Sequence, residues 1–399
     1  QRLLREFAGG RGRTGKSFVF LGAAAELPPD LAGEFVLLEH GLPGREEIHA
    51  WFEARRQQDP WLRQHLATAA DLAQLVVAGQ GLDLPEIERA LRLARVTPGE
   101  GTAELIAALH QGKKQRLRRS GIMEFVDNDV QPEQLGGMEN LKAWMEKRER
   151  AFGPAGFAAG RNQPKGVLLM GVSGCGKSLF VKAIAARWRL PLVRLDMATV
   201  YEGTFGSPEA TLRQACRTAE ALAPCVLWID EMEAGITTHG FKADGGSASR
   251  VLGYFLTWMQ EKRRPVFVAA TANAIEMLPA EVLRKGRFDE IFYISLPAVA
   301  EREEIFRIHL RRHGFDPERY APAMLAHSAK GFSGAEIEQA VASASFEALA
   351  LERPLTQQDL MEAISRTVPL SVTMAEQIKK IEAWAFKRAV QASKGGSER

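Results

Sequence analysis

Residues 165–182 carry the densest chemistry in the chain. A short apolar run, Val167 to Met170, leads into GVSGCGKS at 171–178, and Leu179, Val181, Ala183, Ile184 and Ala185 follow as a helix would place them. Glycines at Gly171, Gly174 and Gly176 let successive backbone N–H groups turn inward around an anion. A helix opening directly after them adds the positive end of its dipole. Strand, loop and helix together make a phosphate cradle that includes Cys175 and Leu179. In it Lys177 reaches the β- and γ-phosphates of a nucleotide and Ser178 supplies a hydroxyl to Mg²⁺. A chance glycine-rich turn would lack both the strand before and the helix after.

Two further apolar strands end in polar groups. Cys225 to Ile229 leads into Asp230 and Glu231. Side chains alternate along a strand, so adjacent acids take different tasks: Asp230 suits the metal shell, and Glu231 suits orienting and polarising an attacking water. The alternative is an acidic cap on a surface loop, which leaves the apolar strand before it unexplained. Val266 to Ala272 is followed by Asn273, an amide able to hold that water between Glu231 and the γ-phosphate; by itself it reads equally as a turn residue. Arg284 and Arg287 come next, in LRKGRFDE. They are either surface charges or cations offered to a neighbouring subunit's γ-phosphate, where they stabilise the transition state.

These motifs need an α/β core, a parallel sheet between helices, and the pattern after residue 300 predicts a helical lid. Arg302 to His313 places Ile305 and Ile308 three apart and Phe306 and Leu310 four apart, one broad apolar face. A helix is predicted from Ser333 to Leu351, opened by a capping box with Glu336. Thr356 to Ile364 and Met374 to Val390 predict two more, and the final SKGGSER is predicted to be disordered.

Composition narrows the class. With 399 residues, 46% hydrophobic and 25% charged, the chain is a folded protein of two to three domains. Lys and Arg number 52 against 49 acids, a net charge of +3 that gives no bulk pull toward nucleic acid. No apolar run approaches the roughly 18 residues that span a bilayer, so no membrane partner is expected. Cys175, Cys216 and Cys225 fit neither a zinc site nor a disulfide framework and imply a reducing compartment such as the cytoplasm. The chain begins at Gln1 without a signal-peptide pattern, and the absent initiator methionine implies sequence upstream.

Taken together the motifs resemble the AAA ATPases: GVSGCGKS is similar to their Walker A, VLWIDE to Walker B, ATAN to sensor 1, and LRKGRFDE to the region with paired arginine fingers. LGG at 135–137 resembles the segment beside adenine, which assigns Gly136 and Gly137 to the base. GFSGAEI at 331–337 resembles the lid motif that touches nucleotide, which assigns Gly334 and Ala335. The resemblance runs from about residue 125 to the end. APCVLWIDEME, LTWMQEKRRPVFVAATAN and the tail VPLSVTMAEQI narrow it to a family termed a hypothetical chloroplast open reading frame, of cyanobacteria, plastids and other bacteria. It implies ATP and Mg²⁺ as ligands, ATP hydrolysis, and a homo-oligomer, usually a hexameric ring, acting on a protein client. A slow nucleotide-dependent binding switch and a nucleic-acid-stimulated ATPase are the alternatives; neutral charge and the missing aromatic–basic stripe disfavour the latter.

The first 118 residues carry a weak internal repeat. FVFLGAAAELPPDL and FVLLEHGLPGREEIHAWF follow the order of VFVAATANAIEMLPAEVL and FYISLPAVAEREEIFRIHL. This predicts a degenerate AAA-like module over 1–118, with residues 46–113 as its helical lid, ahead of a large ATPase subdomain over 119–300 and a small lid over 301–399. The GKS at 15–17 lacks a strand before it and reads as a basic hairpin. Lys113 to Arg119 is a basic run, either a solvated linker helix or a contact for nucleic acid or an acidic partner. Translocating relatives carry an aromatic pore residue before G-E-S-E. Here Thr204 stands at that place, leaving Tyr201 and Phe205 as residues that either face a pore or pack on the core. Gly235 to Ser249 resembles a second pore loop.

Overall fold

Among the described residues seven strands form one sheet in the order β1-β3-β4-β5-β2-β6-β7: β1 Met123–Val126, β2 Gly166–Gly171, β3 Leu192–Leu195, β4 Cys225–Ile229, β5 Val266–Ala272, β6 Glu290–Ile294 and β7 Val390–Gln391. All pairings are parallel except β1 with β3. Each residue of β2, β4 and β5 is buried, as strands covered on both faces must be. Alternation sends Leu168, Met170, Leu227 and Val268 into one core layer and Val167, Leu169, Val226 and Phe267 into the other. In the second layer Phe152 stacks on Trp188 at 4.9 Å, and Trp188 meets Phe267 edge-on at 4.7 Å.

This computed structural model describes residues 41–394 except 67, 97–100, 129, 153–162, 203–205, 234–246, 275–276 and 285, and before residue 41 only Val19, Val36 and Leu38. The strands of the N-terminal repeat and the hairpin at 15–17 therefore lie outside the described residues. Pro43–Arg399 forms one compact unit, the subject of everything below.

Between residues 45 and 120 lie the helices Arg45–Gln58, Pro60–His65, Ala69–Gly79, Leu84–Val96 and Thr102–Ser120. Ile48, Phe52, Leu75, Leu82, Ile87, Leu105 and Leu109 close their own core. This bundle sits directly on the sheet domain. Gly81, with φ of 88°, approaches so closely that a Cβ there would lie 2.5 Å from Ala221 O. The last helix runs straight into β1.

The basic run lies on that last helix and is not simply a solvated face. Leu105, Leu109, Lys113 and Leu117 form one buried stripe, and Lys113 Nζ has no hydrogen-bond partner among the described residues. Burial pushes its pKa down to about 8, opposed in part by the Cys225 thiol. Lys114 pairs with Asp127, and Arg116 with Glu86 at 3.0 Å.

The lid comprises Val299–Arg312, Pro322–Ser328, Gly334–Ala350 and Gln357–Arg366 around Phe306, Leu310, Leu325, Ile337, Val341 and Leu360. Ser333 caps its helix with Glu336, as the sequence requires. The broad face of Val299–Arg312 is divided: Phe306 and Leu310 enter the lid core, whereas Ile305 and Ile308 line a cavity. The end of the 301–399 span leaves the lid. Helix Ala375–Arg388 buries Ile378, Ile381 and Ala385 against the sheet domain, and β7 extends the sheet beside β6. Ser393 and Lys394, expected within a disordered end, are tied down by Glu301 and Glu139.

Candidate functional site

β2 delivers the phosphate loop at its C-terminal end, where a parallel sheet opens a crevice. Gly176, with φ of 87°, turns the chain into helix Lys177–Trp188. Lys177 is buried, and its Nζ donates to Gly171 O at 2.9 Å and Val172 O at 2.8 Å, so the ammonium stands inside the loop. Burial lowers its pKa, while the Cys175 thiol and then Glu233, Asp230 and Glu231 act the other way. Burial likewise pushes the Cys175 thiol up to about 12, which keeps it protonated and unreactive.

β4 and β5 lie side by side and bring the polar strand ends together. Asp230 Oδ1 accepts from Ser178 Oγ at 3.3 Å and from Thr271 Oγ1 at 2.6 Å. Thr271 Oγ1 in turn accepts the Glu231 N–H at 3.0 Å, and Asn273 Nδ2 donates to Glu231 Oε1 at 3.0 Å. Glu233, buried, accepts the N–H groups of Asn273 and Ala274. Glu231 has φ of 46°, a left-handed conformation that costs a non-glycine residue about 1–3 kcal/mol and persists only where its surroundings hold it. Ser178 and Asp230 offer hard oxygen donors on neighbouring elements, a set that fits Mg²⁺ completed by phosphate oxygens and water. Among the described residues no cluster of three His, Cys, Asp or Glu side chains could hold a metal alone.

A cavity of about 250 Å³ opens beside the loop, lined by Gly136, Met138, Gly174, Leu179, Ile305, Gly334 and Ala335 among others. Gly137 N donates to Glu304 Oε2 at 2.8 Å and Met138 N to Glu301 Oε1, so the 135–138 segment hangs from the lid helix Val299–Arg312. Ala335 N donates to Gly174 O at 3.0 Å, a direct bond from lid to phosphate loop.

Arg284 and Arg287 stand elsewhere. The turn that carries them is fixed at the far end of β2: Asp289 accepts from Lys165 N at 2.7 Å and Gly166 N at 3.0 Å, and Lys165 Nζ donates to Gly286 O. Gly166 and Gly171 bound β2, so about 16 Å of strand separates this turn from the phosphate loop. Arg284 is exposed, and Arg287 Nε has no partner among the described residues.

Tyr201 is 8% exposed and belongs to the core cluster, which takes it away from a pore surface. Phe205 and the second pore-loop candidate up to residue 246 lie outside the described residues. Thr271, Glu233, Glu301 and Glu304 were not singled out from the sequence. Thr271 alone left a signal, since it stands two before Asn273 on one face of a strand.

A glycine-rich phosphate loop at the centre of a parallel sheet, acidic and amide groups on the adjacent strand ends, and a helical lid bonded to the loop define an AAA-type P-loop ATPase domain. Residues 167–296 match the family "ATPase family associated with various cellular activities (AAA)", and residues 45–120 match "SpoVK-like AAA ATPase, second domain". The chain is 38% identical to the uncharacterized AAA domain-containing protein ycf46 of Guillardia theta, over 96% of this chain and 75% of the relative. It is 37% identical to that of Trieres chinensis, over 93% and 74%. The chain belongs to the ycf46 family of AAA proteins. The crystal structure of the FIGL-1 AAA domain has the same fold, with a TM-score of 0.56 at 21% identity over 69% of this chain and 95% of that one. No helix among the described residues is long and apolar enough to cross a membrane.

Proposed function

We propose that the chain hydrolyses ATP to ADP and phosphate, assembles as a homo-oligomeric ring of AAA type, usually a hexamer, and uses turnover to remodel or regulate a protein partner. The observation that carries the hydrolytic reading is the Asp230–Thr271–Glu231–Asn273 network beside the phosphate loop. Lys177 exchanges its two loop carbonyls for phosphate oxygens when nucleotide enters. Glu231, steered by Asn273, accepts the proton of the attacking water. Ser178 and Asp230 would hold Mg²⁺, which when bound neutralises phosphate charge. Arg284 and Arg287 serve the next subunit, which makes assembly a condition of turnover.

Gly136, Gly334 and Ala335 line the base and lid side of the same cavity, and Gly137 beside them is bonded to the lid helix. The bundle over 45–120 is the lid of a second, degenerate module, in line with its match to a AAA second domain. We assign it to partner docking. The basic run is largely spoken for by Glu86, Asp127 and the buried stripe, which weakens a nucleic-acid role. Three buried thiols suit a reducing compartment such as cytoplasm or stroma.

The experiment is a pair of variants. Lys177→Ala is expected to lose ATP binding, and Glu231→Gln to keep binding and lose phosphate release. Wild-type turnover by Glu231→Gln would remove the carboxylate from its assigned role.

A further inference from the structure

The last described residues return to the cavity. β7 pairs with β6 through Phe292↔Val390 and Tyr293↔Gln391, and Ala392 N continues the ladder to Tyr293 O at 2.9 Å. Ala392 O accepts from Asn140 N at 2.9 Å and Leu141 N at 3.2 Å, N–H groups that open helix Glu139–Glu149 and have no acceptor within it. The Asn140 side chain donates to Gln391 O at 3.1 Å and to Ser393 O at 3.2 Å. Ser393 then lines the cavity, and its hydroxyl donates to Glu301 Oε1. The same carboxyl group accepts Met138 N and, through Oε2, Ala298 N at the start of the lid helix.

We propose that the strap of residues 390–394 brings Ser393 into the wall of the nucleotide cavity, and that Asn140 is the positioning residue that holds it there. This rests on the reading that the cavity takes a nucleotide. A two-residue strand followed by one deeply buried side chain, Ala392, is held mainly by hydrogen bonds, so its docking is among the weaker local equilibria of the domain. A ligand seated against Ser393 and the 135–138 segment adds contacts that only the docked strap makes. Strap docking and nucleotide binding therefore favour each other reciprocally.

The test uses the full chain with Asn140→Ala and Asn140→Asp. Asp is nearly isosteric and suits a helix N-terminus, yet it cannot donate to the two strap carbonyls. Calorimetry of wild type with ADP comes first, and no binding there would sink the nucleotide reading itself. With binding established, both variants are expected to raise the ADP Kd and the ATP KM about tenfold, the order set by two hydrogen bonds. The kcat at saturation should stay within about twofold, since the strap touches no reacting group. ADP should slow hydrogen exchange across 389–394 in wild type and less so in the variants. If Asn140→Ala fails to fold, Asn140→Asp carries the test. Wild-type ADP affinity in a folded Asn140→Asp, or strap exchange indifferent to ADP, would overturn the proposal.

Discussion

Replacing Arg287 with Ala separates two readings of the arginine pair by magnitude. Within one subunit the turn bearing Arg287 is anchored beside Gly166, the opposite end of β2 from the phosphate loop, about 16 Å along the strand. At an effective dielectric constant of about 20, a unit charge at that separation contributes about 1 kcal/mol. Salt screens it further, because the distance is roughly two Debye lengths. A cis arginine acting through space therefore changes turnover by at most about fivefold. An arginine touching the γ-phosphate from the next subunit is worth about 10³–10⁵ in rate, or roughly 4–7 kcal/mol. Steady-state phosphate release by Arg287→Ala should fall by that larger factor while ADP affinity stays near wild type. The decisive assay mixes Arg287→Ala, whose own phosphate loop is intact, with Glu231→Gln, whose arginines are intact. Interfaces that pair the first subunit's site with the second subunit's arginine should regain turnover. A dead mixture in which native mass measurements show mixed assemblies would refute the trans reading, and so would wild-type hydrolysis per subunit that is flat down to monomer.

Two other perturbations follow from the geometry. Thr271→Val keeps the shape of a buried residue and removes the hydroxyl between Asp230 and the Glu231 N–H; kcat should drop about tenfold or more with ADP affinity nearly unchanged, as steady-state kinetics and calorimetry would show. Lys113→Met should stabilise the protein at pH 7. The folded pKa of about 8 lies below the unfolded 10.5, so the unfolded state binds the extra proton between those values. Wild-type stability then rises with pH across that window, by about 3 kcal/mol at most, and the variant should lose this slope in urea titrations at pH 7 and pH 10. Equal stability of Lys113→Met and wild type at pH 7 would show that the buried ammonium finds a partner.

The parts of the site legible in the sequence are those whose chemistry is local. A phosphate loop needs its glycines, lysine and hydroxyl within eight residues, and Asp230, Glu231 and Asn273 each terminate an apolar strand. The groups that hold these residues in place are joined across long separations. Glu233 binds the Asn273 backbone, Glu301 binds Met138 and Ser393, and Asn140 binds Ser393 across the whole ATPase domain. None of these pairs has a spacing rule, because the sheet order that brings them together is a product of the fold. β7 is equally silent: two residues make no periodicity, and only its register against Phe292 and Tyr293 identifies it as a strand.

The burial of Lys113 is written in the sequence, in a period that competes with its charge. Counting charges from Lys113 to Arg119 predicts a solvated face, whereas counting by fours through Leu105, Leu109, Lys113 and Leu117 places the lysine on the buried stripe. The helical period decides, because Thr102–Ser120 packs that stripe between the bundle and the sheet domain. Arg116 and Lys114, off the stripe, find acids at its margins. A buried ammonium whose Nζ has no hydrogen-bond partner among the described residues costs folding energy. Lys113 stands within electrostatic reach of Cys225 at the start of β4, the strand that leads into Asp230 and Glu231.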